Sequence, residues 1–84
     1  MLQVDIVTPA KIIYSGLAES VTVPGSKSPF QILNNHAPIV SSLDDGIVKV
    51  VTDTHQELVY KTSSGFVELQ HNKISVLVES AVAE

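Results

Sequence analysis

Three histidines, His36, His55 and His71, are the side chains of this sequence best suited to hold a metal or move a proton, and cysteine is absent. His55 and His71 fall in the short polar connections "DTHQ" and "QHNK". If those turns stand side by side, the pair with a carboxylate such as Asp53 has the ligand types of a zinc site. Solvated turn histidines are far commoner, so no metal site is expected. Ser41, His36 and Asp44 contain the ingredients of a nucleophilic triad, but nothing in the sequence fixes their geometry or supplies a pocket. There is no Gly-x-Ser-x-Gly elbow, and the isolated glycines form neither a phosphate loop nor a dinucleotide fingerprint. A lipoyl- or biotinyl-type arm presents a lysine, often beside methionine, and the only methionine is Met1. The residues therefore predict a binding or structural module. No catalytic residue, nucleotide site, cofactor or small-molecule substrate is expected.

Charge narrows the partners. Nine acids against five lysines give a formal net charge of −4. Lys11, Lys27, Lys49, Lys61 and Lys73 are scattered singly, with no arginine. Nucleic acid needs a clustered positive footprint, and anionic lipid needs a polybasic run. The sequence has neither. No apolar stretch approaches the ~20 residues that span a bilayer, so no membrane insertion is expected. The start, "MLQVDIVTP", has no basic segment and no long apolar run, which reads against a signal peptide and for a cytoplasmic or organelle-internal chain. Hydrophobic residues make up 44% and charged residues only 17%. That balance fits either a tidy core with few surface charges or an apolar surface covered by another protein.

The elements that position these residues are short strands. At 84 residues the chain is long enough for one domain. Without disulfides, apolar burial has to hold it together. Glycine and proline punctuate it at Pro9, Gly16, Pro24, Gly25, Pro29, Pro38, Gly46 and Gly65. Between them lie about nine strands of ~4–7 residues, the spacing of an all-β sandwich or barrel. Leu2, Val4, Ile6, Val21, Val23, Ile32, Leu43, Val50, Leu69 and Val76 are expected inward. Leu17 shares the phase of Val21 and Val23, with Glu19 as the exception. "DDG" (Asp44 to Gly46) reads as a hairpin turn, and successive hairpins predict an antiparallel meander. Two runs, Ile47 to Val51 and Ile74 to Val78, are apolar on both faces. The second faces reflect either β-propensity or a docked partner.

In order along the chain, "VDIVTP", "SGLAESVTVPGS", "FQILNNHAPIVSSLDDGIVKV" and "SGFVELQHNKISVLVESA" resemble the epsilon subunits of F-type ATP synthases. The match is to their amino-terminal β-sandwich domain and covers Leu2 to about Ala81. The most specific parts are "NHAP" after a short strand, "GF-E", and the strand Asn-x-Ile-x-Val-Leu.

The resemblance implies residues 1–84 as one flattened β-sandwich of two antiparallel, roughly five-stranded sheets. It implies a non-catalytic rotor subunit that links gamma to the c-ring and couples proton transport to ATP synthesis. The c-ring contact is expected at Ser26, Lys27, Ser28, Pro29, Phe30 and Gln31, with His36. Gamma is expected on a face with surplus apolar residues, at Val40, Ser41 and Ser42. His36 either contacts the partner or is a turn histidine bonded to its own backbone. The expected location is peripheral to an energy-converting membrane, on the cytoplasmic face of a bacterial inner membrane or in the chloroplast stroma. Two features depart from the family. "GSKSPF" stands where a glycine-rich acidic loop is usual, so Lys27 reverses a charge, and Ser64-Gly65 replaces a glycine pair. The chain ends at "ESAVAE", where many members continue into a helical hairpin, so no inhibitory arm is expected. The competing reading is a free-standing β-sandwich that binds a small molecule or peptide. Co-purification with gamma and the c-ring separates the two.

Overall fold

A computed structural model describes all 84 residues. It holds nine strands and no helix: β1 (Leu2–Val7), β2 (Ile12–Val23), β3 (Phe30–Leu33), β4 (Ile39–Leu43), β5 (Gly46–Thr52), β6 (Glu57–Thr62), β7 (Gly65–Gln70), β8 (Lys73–Val78) and β9 (Ala81–Ala83). The strands follow from alternation. In β1, Leu2, Val4 and Ile6 are fully buried while Gln3, Asp5 and Val7 are half-buried on the other side, the period-2 pattern of a pleated strand.

Hydrogen bonding runs continuously through the order β4-β7-β8-β1-β2-β5-β6-β9, with β3 added on β2. The long β2 belongs to both layers. Its first half pairs with β1 and its second half with β3 and β5. The layers are therefore β4-β7-β8-β1-β2 and β3-β2-β5-β6-β9, the expected all-β sandwich. Buried residues from both layers, among them Val4, Val67 and Val76 on one side and Val21, Val48 and Val50 on the other, form a single core cluster. All ten residues expected inward belong to it, together with Ala18, Val48, Tyr60, Val67, Ile74 and Val78.

Three features differ from the pattern read in the sequence. First, β1 and β8 run parallel. They lie far apart in the chain, so no hairpin dictates their relative direction. Second, β2 is one strand of 12 residues with a bulge at Glu19. Ala18 pairs with Thr52 and Ser20 with Val51, which leaves Glu19 as the extra residue. One inserted residue reverses the in–out phase. Leu17 therefore faces solvent, 45% exposed, while Ala18 is buried with Val21 and Val23. Third, the "DDG" segment closes no hairpin. β4 pairs with β7 and β5 with β2 and β6, so Asp44 and Asp45 cross between layers. Gly46 does not take positive φ. Its missing side chain instead makes room for Pro24, whose Cβ would lie 2.8 Å from an added Cβ. The tight hairpin is β7–β8. Its turn residues His71 and Asn72 have φ of 50° and 60°, the left-handed pair of a type I′ turn.

Candidate subunit interface

β3 and β4 are the last strands of their layers at one side of the sandwich, each paired to a single neighbour. Residues 34–38 join them at one end. At the other end Gly25 bridges to Leu43. There the Ser26 N–H donates to the Ser42 carbonyl at 3.1 Å, and the Asp44 N–H donates to the Pro24 carbonyl at 2.9 Å. The Ser42 hydroxyl adds a bond to Ser26 Oγ at 2.9 Å. The edge is thus closed at both ends and forms a defined surface.

The residues expected to meet the c-ring separate along this edge. Ser26, Lys27, Ser28, Pro29 and Gln31 are exposed. Phe30 is half-buried and packs against the core. Its ring also lies over Gly25, where an added Cβ would approach it to 2.8 Å. Phe30 therefore anchors the loop with the buried part of its ring. His36 sits at the opposite end of β3.

The "NNHAP" turn is held by its own polar groups. Asn35 takes φ of 65°. Its N–H donates to Asn72 Oδ1 at 2.7 Å, and Asn72 Nδ2 donates back to Asn35 Oδ1 at 3.2 Å. The His36 N–H donates to the Leu33 carbonyl at 3.2 Å. His36 Nδ1 lies 2.7 Å from the Ala37 carbonyl oxygen. A carbonyl can only accept, so Nδ1 carries the proton in this bond and Nε2 faces away from it. His36 is thus bonded to its own turn. Its ring lines a shallow depression with His71, Asn35, Asn72 and Pro38.

The other chemical candidates are not assembled. His55 Nδ1 lies 2.5 Å from Glu19 Oε2, at the β2 bulge, and not against His71. The Ser41 hydroxyl donates to the Ser42 carbonyl at 3.1 Å, so Ser41 and His36 are each bonded to a neighbouring carbonyl and not to one another.

The residues suggested for gamma lie on β4 and divide by phase. Val40 is 71% exposed and Ser42 faces out with it, whereas Ser41 shares the inward phase of Ile39 and Leu43 and is half-buried. Across the outer surface of this layer, register aligns Ser42 with Phe66, Phe66 with Leu77, and Leu77 with Val7. Val7 pairs with Ile12. Phe66 is 58%, Leu77 48% and Ile12 65% exposed, so four neighbouring strands carry one apolar row. A depression of about 390 Å³ beside it is bounded by Val7, Pro9, Phe66 and Leu77. The adjacent row, Glu68, Ser75, Asp5 and Ser15, is polar. The second-face apolar signal in "ISVLV" pointed to Leu77. Phe66, Val7 and Ile12 carried no such signal, because only the pairing brings them beside it. The outer face of the other layer is mixed, with Ile47 and Val82 near Lys61 and a Lys49–Glu57 ion pair at 3.5 Å.

The whole chain, residues 1–84, matches the family described as "ATP synthase, Delta/Epsilon chain, beta-sandwich domain". The chain belongs to this family. Among relatives of the delta/epsilon family, the ATP synthase epsilon chain of Leptospira interrogans is 41% identical over 78 residues, 93% of this chain and 61% of that protein. The chain thus spans about three-fifths of that relative's length. The same fold occurs in the mitochondrial ATP synthase of Euglena gracilis, solved with its F1 and c-ring, at a TM-score of 0.89 and 17% identity, over 98% of this chain and 52% of that one. It occurs again in the central stalk and c-ring assembly of the Tetrahymena thermophila enzyme, at a TM-score of 0.76 and 18% identity, over 96% of this chain and 65% of that one. At those identities the likeness is one of fold. No helix is long and apolar enough to cross a membrane.

Proposed function

We propose that this chain is a non-catalytic central-stalk subunit of a proton-translocating F-type ATP synthase, joining gamma to the c-ring. In that role it carries the rotation of the ring to the shaft that drives ATP synthesis. The observation that carries the reading is the apolar row Phe66–Leu77–Val7–Ile12, exposed at all but the half-buried Val7, beside the closed β3–β4 edge, in a member of the delta/epsilon family. A row of that kind suits a dry protein contact, and gamma is the partner assigned to it, with Val40 and Ser42 at its border. The loop Ser26–Pro29 and Gln31 are assigned to the polar loops of the c-ring. Such a subunit is peripheral to the membrane, on the cytoplasmic face in a bacterium or the stromal face in a chloroplast.

Cross-linking tests both contacts, and because the chain lacks cysteine any introduced thiol is unique. Cysteines at Ser28 and Gln31 should cross-link to ring loops in the assembled enzyme. A cysteine at Val40 should cross-link to gamma. Leu77→Asp should weaken assembly at least tenfold, because an unpaired charge in a dry interface is strongly unfavourable. It should leave the melting temperature of the isolated chain within a few degrees, since Leu77 is already half exposed. If Leu77→Asp assembles normally and Val40 yields no cross-link to gamma, the face is misassigned. Failure to co-purify with gamma or the ring would favour a free-standing binding domain.

A further inference from the structure

Every carboxylate of this acidic chain lies outside the segment from Ser20 to Leu43, and the only full charge within that segment is Lys27. The segment includes β3, β4 and the loops that bind them together, so Lys27 is the one full charge it brings to this edge, and the neighbouring acids come from outside it, Glu68 opposite Val40 and Asp44 after β4. Lys49 is paired with Glu57, whereas Lys27, like Lys11, Lys61 and Lys73, is exposed and forms no ion pair. Asp44 stands at the foot of the loop through its N–H bond to Pro24, and it does not pair with Lys27 either.

The loop that carries this cation is tied down. Ser26 is bonded twice to Ser42. Phe30 covers Gly25, where an added Cβ would also lie 2.6 Å from the Ser28 carbonyl oxygen. Pro29 fixes its own φ and restricts Ser28 to extended backbone. A preorganised loop loses little freedom when a partner closes on it.

We propose that Lys27 is a specificity-determining contact whose partner surface offers a carboxylate at the point the loop reaches. This rests on the assignment of that loop to the c-ring, and it adds the chemistry of the matching ring loop: an acidic residue among its polar groups. A single cation is too little to hold anionic lipid, which calls for a cluster of about four to eight basic residues. A protein carboxylate is therefore the favoured partner. A rim charge of this kind acts mainly on association rate and partner choice, and salt screens it.

The test is reassembly of the subunit with the remaining enzyme across a salt series, for the parent, Lys27→Gln and Lys27→Glu. Lys27→Glu should weaken assembly roughly threefold to tenfold at low salt, with Lys27→Gln between, and the gap should close as salt rises. The melting temperatures should match, since the side chain is exposed. Equal assembly of all three at low salt, or tighter assembly of Lys27→Glu, overturns the inference even if Ser28 and Gln31 cysteines still cross-link to the ring. If those cysteines cross-link to another subunit while Lys27→Glu still weakens assembly, the carboxylate partner stands and the ring assignment falls. Lys27-dependent binding to vesicles of phosphatidylserine and phosphatidylcholine would replace the protein carboxylate with lipid and overturn it as well.

Discussion

His36 and His71 show how residues fit for chemistry can be taken up by local structure. His36 donates to the next carbonyl, and His71 supplies half of a left-handed turn. Asn72, the other half, also closes the reciprocal pair with Asn35 that ties the β7–β8 turn to the β3–β4 turn. Asn72→Ala removes both bonds and leaves at positive φ a residue without the side-chain amide that lets asparagine tolerate the left-handed region, so it should destabilise by about 1–2 kcal/mol. Asn72→Gly loses the bonds but suits the backbone, and should cost less in a urea titration. Equal losses would mean that the backbone conformation is unimportant there. At Gly65 the constraint is space. An added Cβ would collide with the Leu77 carbonyl oxygen on the neighbouring strand. Gly65→Ala should therefore cost about 1–3 kcal/mol, measured the same way.

At the scale of elements, β2 decides how the two layers join. Its bulge at Glu19 reverses phase between Leu17 and Val21, so residues that share one period in the sequence end on opposite faces. Substitution separates the two faces. Leu17→Ser should change stability by no more than about 0.5 kcal/mol, as exposed positions do. Ile32→Ala, which empties a fully buried position on the paired strand β3, should cost about 2–5 kcal/mol. A large loss from Leu17→Ser would place Leu17 in the core and remove the phase reversal.

Over the whole molecule, Tyr14 and Tyr60 link the fold to pH. Their rings stand 6.5 Å apart and tilted by 48°. Burial raises the Tyr14 pKa above its ordinary value, with further contributions from Tyr60 and Asp53, and burial alone raises that of Tyr60. Both phenols are favoured neutral in the folded state. Their contribution to stability is complete below the ordinary tyrosine value of 10.0. It is lost as pH rises through the raised folded values, because the unfolded chain releases its protons first. The urea midpoint should fall above about pH 10, and Tyr14→Phe with Tyr60→Phe should flatten that fall. An unchanged alkaline slope in the double variant would locate the loss elsewhere.

Alternation in Leu2–Ile6, the short apolar runs Ile47–Val51 and Ile74–Val78 and the regular glycine and proline breaks were enough to determine an all-β chain and its inward residues, because pleated strands alternate with a fixed period of 2. The family was equally readable in "NHAP" and the strands that follow it, since those residues are contiguous. Pairing between distant strands was not readable. The parallel β1–β8 contact, the layer crossing at Asp44 and Asp45, and the apolar row from Phe66 to Ile12 all depend on which strands become neighbours. An extra residue at Glu19 likewise has no local signature, because it becomes a bulge only against the register of β5. Register between strands far apart in the chain is set by joint packing of both layers. That is why the apolar row on the outer face was decided by the tertiary structure alone.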